Sequence, residues 1–312
     1  MPLLGAHMSI AGGLHLAFRR IRQVGGEALQ IFTKNQVQWH AEPIDPEGAI
    51  LFRKAWEEAG RMPVAAHDSY LINLASGDKS TACKSIAAFA EELRRCETLG
   101  IPYLVAHPGS HLGEGVRQGL ERFTTNLDSA METAAAENVT VLIETTAGQG
   151  TNLGSRFEEI ACILQRSRYG NRLGVCFDTC HAFAAGYDLR DPQRYGETFA
   201  RFQAVIGTER IHLFHVNDCK GGLGSKVDRH EHIGKGQIGL DGFRILLNDP
   251  RFKAHPMVLE TPKGKDLKND RRNLRVLRSL MAHAEGRGKV RTLAGDPEKS
   301  TSSRLKGVRR EK

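Results

Sequence analysis

The sequence predicts an α/β chain: a (β/α)8 barrel over residues 1–283, followed by a disordered basic tail over 284–312. Three observations carry this. Eight short apolar runs alternate with helical stretches, about one run per 35 residues, the signature of parallel strands joined by crossover helices. The 312 residues accommodate a barrel of about 250 with an extension. Most of the apolar runs also end in His, Asp or Glu. Such groups converge on one mouth if the sheet closes, whereas in a doubly wound open sheet, the rival architecture, they spread along an edge.

Taken in order, the first run is Leu3-Leu4-Gly5-Ala6-His7. Gly12-Gly13 then opens a stretch with Leu14, Phe18, Ile21 and Val24 at helical spacing. Ala28 to Phe32 is the second strand, and Glu47 to Ala59 the helix after it. Pro63 to His67 is the third strand. Lys84 to Leu99 is amphipathic through Ile86, Phe89, Leu93 and Cys96, and Gly100 stops it. Tyr103 to His107 is the fourth strand, with a turn at Pro108-Gly109 and a helix from about Val116 to Ala136. Strands five to eight are Val139–Glu144, Gly174–Phe177 leading into Asp178, Arg210–His215 and Pro256–Glu260. A last helix spans roughly Asp270 to Ala282.

The formal net charge is +8. From Ala284 onward nine Lys or Arg face four Asp or Glu, so +5 lies in the tail and +3 in the body. The tail is rich in Gly, Ser and charge and poor in apolar residues, which predicts disorder. Its charge suits a polyanion, or a tail that serves only solubility. No stretch is long and apolar enough to span a membrane. No basic leader precedes the first run, and the six cysteines form no C-x-x-C pair. A cytoplasmic protein with reduced thiols is expected.

In a barrel, a polar residue at a strand's C-terminal end reads as site rather than scaffold. His67, His107, Glu144, Asp178, His215 and Glu260 occupy that position on strands three to eight. His181 follows on the loop after Asp178, and Asp228 and His230, two apart, point the same way from a locally extended loop. A lone strand-end histidine is more often a hydrogen-bonded structural residue. Four converging carboxylates are different, because burying like charges together is costly and divalent metals remove the cost. Nine ligands of this kind fit two or three ions, zinc foremost, with manganese or iron as alternatives. Cys180, between Asp178 and His181, is a soft outlier in that set. Clustered ions in a site of nitrogen and oxygen donors point to phosphoryl chemistry.

Several stretches resemble motifs of the endonuclease IV family. They are Gly5-Ala6-His7, Phe32-Thr33-Lys34-Asn35-Gln36, His67-Asp68-Ser69-Tyr70-Leu71-Ile72-Asn73-Leu74 and His107-Pro108-Gly109-Ser110-His111. Glu144 to Gly150, Asp178 to Asp188, His215-Val216-Asn217-Asp218 and Asp228-Arg229-His230 continue the series, so the likeness runs in order from about residue 3 to 282. The resemblance implies a (β/α)8 barrel with three zinc ions, a base-excision-repair enzyme and a monomer. It implies that His67 and His107 bind one zinc, which Glu144 bridges to a second completed by Asp178, His215 and Glu260. His181, Asp228 and His230 would bind the third. The implied reaction is hydrolysis of the phosphodiester 5′ to an abasic site in duplex DNA, leaving a 3′-hydroxyl. Glu144 and Glu260 would be catalytic, with Glu260 orienting the attacking hydroxide. Lys34, Asn35, Gln36 and Tyr70 would contact DNA, Tyr70 by stacking at the lesion. DNA carrying damaged 3′ ends is a further expected partner.

Three features stand apart. Val37 lies where family members can carry a probing arginine, and valine supplies neither charge nor a guanidinium plane. Glu231 and Lys235 are less usual beside His230. The loop Gly148 to Gly154 offers either backbone amides for a phosphate or a plain turn. A metal-dependent sugar isomerase or epimerase on a related barrel is the alternative function.

Overall fold

The structure, a computed structural model, describes residues 1–264 and 266–282. The predicted tail from Ala284 lies outside the described residues. Eight parallel strands close into a barrel: β1 (Leu3–His7), β2 (Ala28–Phe32), β3 (Val64–His67), β4 (Tyr103–Ala106), β5 (Thr140–Glu144), β6 (Leu173–Asp178), β7 (Ile211–His215) and β10 (Pro256–Leu259). Neighbours follow chain order, and the seam closes where Leu3 to Ala6 of β1 pair with Pro256 to Leu259 of β10. The predicted closed barrel is therefore the observed one. Two further short strands, β8 (Asp218–Cys219) and β9 (His230–Glu231), pair antiparallel in the connection after β7.

Helices cover the outside, and several begin at a capping aspartate. Asp45 accepts from the amide of Gly48 and opens α2 (Pro46–Glu58). Asp78 accepts from the amide of Thr81, so α3 (Lys79–Leu99) starts five residues before the predicted Lys84. The apolar run alone could not reveal that start, because the first turn of α3 is polar. One large apolar cluster fills the space between strands and helices, with Phe89, Phe123, Phe177 and Phe214 among its fully buried rings.

Inside the barrel lies a second, separate apolar cluster, Ala28, Ala65, Val105, Leu142, Cys176, Leu213 and Val258, one residue from each of seven strands. Two residues further along the same strands come Gln30, His67, His107, Glu144, Asp178, His215 and Glu260. Side chains two apart share a face of an extended chain, so a polar tier stands directly on the apolar one. On β1 the same spacing leads from Gly5 to His7. A Cβ at Gly5 would meet the carbonyl oxygen of Ala28 at 1.9 Å, so the narrow barrel leaves room there only for glycine.

Candidate metal centre

The nine candidate ligands meet at the C-terminal mouth. His67 and His107 approach Glu144 Oε2 through their Nε2 atoms at 3.1 and 3.0 Å. The other oxygen of Glu144, Oε1, lies 3.0 Å from His215 Nδ1 and 3.1 Å from His181 Nδ1. His215 Nδ1 also faces Glu260 Oε2 at 3.2 Å and Asp178 Oδ2 at 3.8 Å. Nearer the rim, His181 Nε2 lies 3.1 Å from Asp228 Oδ1, and His230 Nε2 lies 3.6 Å from the same oxygen. His230 Nε2 is also 3.7 Å from Asp178 Oδ2.

Eight of the nine resolve into three groups whose ligand atoms lie within 4.8 Å of one another: His67, His107 and Glu144; Glu144, Asp178, His215 and Glu260; Asp178, His181 and His230. Asp228, 40% exposed beside His181, falls outside them, and Asp178 stands in the third group instead. Glu144 belongs to two groups and so does Asp178. Both shared carboxylates are fully buried. None of the three groups contains a cysteine. Cys180 turns its thiol away, donating to the carbonyl of Arg229 at 3.6 Å.

His181 is not on a loop, as the sequence suggested, but in the first turn of a short helix, α6 (Thr179–Ala185). Asp178 ends β6 and caps α6, accepting from the amide of His181 at 2.7 Å. One carboxylate oxygen thus fixes the backbone that carries His181, while the other faces His215 and His230. The β8–β9 hairpin delivers His230, and buried Asp218 anchors the segment beyond it by accepting from the amides of Gly234, Gly236 and Ile238. The Gly148–Gly154 loop proves to be a support for the opposite side. Gln149 Oε1 accepts from the amide of Asp228 at 2.9 Å and holds that carboxylate in reach of His181.

The electrostatics fit a cation-binding site. Burial pushes Glu144 up, yet the imidazoles of His215 and His107 prevail and hold it well below the ordinary carboxylate range. Burial lowers His67, but Asp68 and Glu144 overcome it and raise the imidazole well above its usual value. His181 is raised in the same way against burial, by Asp178, Asp228 and Glu144. Burial raises Asp228, and His181 beside it brings the group down to about 2. A centre of four carboxylates, two of them fully buried, therefore demands positive charge from whatever is beside it. Divalent ions supply that charge and leave the imidazoles neutral, the form in which they ligate. The donor set of imidazole nitrogens and carboxylate oxygens suits zinc, manganese or iron.

Sequence reasoning missed the residues that orient these ligands. Asn217 donates to Asp178 Oδ2 at 2.7 Å and accepts from the amide of Glu260 at 2.8 Å. Gln30, fully buried, touches both His215 and Glu260. A polar residue inside the apolar run Ala28 to Phe32 was the available signal.

Of the residues expected to contact DNA, Tyr70 stands 70% exposed with its ring 6.2 Å from that of His67. Asn35 is exposed and Gln36 half-buried on the loop after β2, where Val37 is 76% exposed. Lys34 is the buried member of the set. Its side chain is 1% exposed, and its ammonium lies 3.8 Å from Glu91 and 3.9 Å from Glu92 and donates to the carbonyl of Trp39. It ties the loop down from beneath and lines the floor of the groove beside Asn35 and Gln36. A groove of about 900 Å³ runs from His7 and Phe32 past Arg19, Arg20 and Lys263.

Comparison with known proteins agrees with this architecture. Residues 18–280 match the model of the xylose isomerase-like TIM barrel family. "Probable endonuclease 4" of Chloroflexus aurantiacus is 53% identical over 285 residues, covering 91% of this chain and all of the relative. The protein of the same name from Geobacter sulfurreducens is 49% identical, covering 89% of this chain and 94% of the relative. The crystal structure of endonuclease IV from Thermus thermophilus superposes with a TM-score of 0.81 at 37% identity, covering 89% and 98% of the two chains. A D-tagatose 3-epimerase-like protein shares the fold at a TM-score of 0.68 and 16% identity. Strand order, ligand geometry and these likenesses together make the chain a member of the endonuclease IV family, and a hydrolase of the DNA endonuclease class.

Proposed function

We propose that the protein is a zinc-dependent repair endonuclease that hydrolyses the phosphodiester 5′ to an abasic site in duplex DNA and leaves a 3′-hydroxyl. The observation that carries this reading is the pair of shared carboxylates, Glu144 and Asp178, that join three ligand groups into one continuous centre. His67, His107 and Glu144 would hold one ion. Glu144, Asp178, His215 and Glu260 would hold the second, and His181, Asp228 and His230 the third, with Asp178 between them. When bound, such clustered ions bind the phosphate, bring the pKa of a water to about 7 and neutralise the departing oxygen.

The chain's own residues then divide the remaining work. Glu260 Oε2 faces the centre and is suited to orient the attacking oxygen, while its Oε1 is held from behind by Gln30 at 2.6 Å. Tyr70, exposed beside His67, supplies an aromatic face for bases uncovered at the lesion. Asn35 and Gln36 reach the same duplex from the loop after β2. Arg19 and Arg20 in the adjoining groove suit the phosphate backbone. A missing base lowers the cost of extruding a nucleotide, which favours abasic sites and damaged 3′ ends as substrates. We further take the working form to be a cytoplasmic monomer.

Zinc analysis of the purified protein, with a nicking assay on a duplex carrying one abasic analogue, tests the proposal. The expected result is three zinc ions per chain and a single nick whose 3′ end a polymerase extends. An intact duplex after zinc loading, or a nick that no polymerase extends, overturns it.

A further inference from the structure

Gln30 sits in the polar tier of the barrel, in register with His7 of β1 and Ala65 of β3. It is fully buried, and its amide reaches three partners. Its Nε2 lies 2.6 Å from Glu260 Oε1 and 3.1 Å from His7 Nδ1. Its Oε1 lies 2.8 Å from His215 Nε2.

The chemistry of these partners leaves one arrangement of protons. An ionised carboxylate only accepts, so the amide NH2 must face Glu260. The amide oxygen then faces His215 Nε2, which must carry a hydrogen to make the contact. A neutral imidazole with its hydrogen on Nε2 has its lone pair on Nδ1. That atom is the one facing Glu144, Glu260 and Asp178. A ligating histidine is set in this way by what its other nitrogen bonds.

From this geometry we infer that Gln30 is a positioning residue that fixes the tautomer of His215 and the rotamer of Glu260 at once. One planar amide thereby couples two ligands on different strands of the second ion group. The inference rests on the metal-dependent reading given above. Gln30 is fully buried and acts on the centre through His215 and Glu260, with His7 as its third partner.

The test compares wild-type protein with Gln30→Leu, which keeps the volume and removes both contacts, and with Gln30→Glu, which keeps an acceptor for His215. Histidine-selective 15N spectra of the metal-free proteins, taken at a pH high enough to leave the imidazoles neutral, read the tautomer without reference to metal or activity. Wild type should show His215 protonated at Nε2, and Gln30→Leu should show a mixture. In zinc-loaded protein, loss of one ion to a competing chelator should be roughly 10–100-fold faster in Gln30→Leu. The turnover number should fall by a similar factor of roughly 10–100, with KM changed by less than about 3-fold. Gln30→Glu should keep the wild-type tautomer of His215, because its acceptor remains, while it loses the donor to Glu260. If wild type binds no zinc, the metal reading fails. If wild type binds zinc while Gln30→Leu keeps the same tautomer, zinc retention and turnover, the positioning role is overturned. A folded Gln30→Leu whose only change is a lower melting temperature overturns it too, by showing a packing role.

Discussion

Two tiers of the same barrel interior, only two residues apart along each strand, obey opposite rules. The lower tier, Ala28 to Val258, is apolar and closes the barrel by excluding water. The upper tier concentrates histidine and carboxylate, and its members answer to each other's charge rather than to volume. The contrast teaches that closure and chemistry are separable in this fold. A substitution in one tier should leave the signature of the other intact, and each prediction below tests that separation.

The largest effect belongs to Glu144. Glu144→Gln should lose more than about 100-fold in nicking, since disturbing outer partners of a metal site alone costs roughly 10–100-fold. Zinc analysis should show loss from both groups that share Glu144, and full zinc retention would contradict the sharing. His181→Ala is expected to lose one ion of the three and to cut nicking by roughly 100-fold. If its zinc content were unchanged, His181 would not be a ligand.

Leu142→Ala tests the lower tier. It should cost about 2–5 kcal/mol of stability by denaturant titration, with zinc content and turnover unchanged in the folded protein. Loss of zinc as well would show that the tiers are coupled. Glu92 offers a buried carboxyl away from the mouth. Burial pushes it up to about 7 despite Thr33, Lys34 and Arg95. Between about 4.5 and 7 the native state keeps a proton that the unfolded chain has released, so this group lowers stability as pH rises through that window. Glu92→Gln should flatten that slope by up to roughly 3 kcal/mol, read by denaturant titrations at pH 5 and 8. An unchanged slope would mean that Glu92 ionises normally. The smallest effect is expected at the rim, where Tyr70→Ala should weaken binding of the abasic duplex by about 1–3 kcal/mol. Equal loss on undamaged duplex would rule out a role specific to the lesion.

The architecture was legible because a strand of this barrel is short and ends abruptly. Runs such as Val139 to Glu144 announce both the strand and the ligand at its tip. What stayed hidden depends on direction rather than pattern. Lys34 lies in a polar stretch that suits solvent, yet its ammonium turns inward because Glu91 and Glu92 wait on α3, more than fifty residues away. His181 looked like a loop residue because the capping role of Asp178 is invisible until Asp178 is seen to accept from its amide. Gln30 read as an unremarkable strand position, since its partners lie on β1, β7 and just past β10.

The seam between β1 and β10 gives the site a role in the life of the chain. Glu260 follows immediately on β10, the last strand to be synthesised and the one that completes the ring by pairing with both β1 and β7. Until that pairing forms, the second ion group lacks a member. On the proposed reading, full metal loading marks a finished barrel, since a chain stopped before Pro256 would have neither the seam nor the acid. On the same metal-dependent reading, an ion that binds only the closed barrel favours completed molecules over partial ones by mass action.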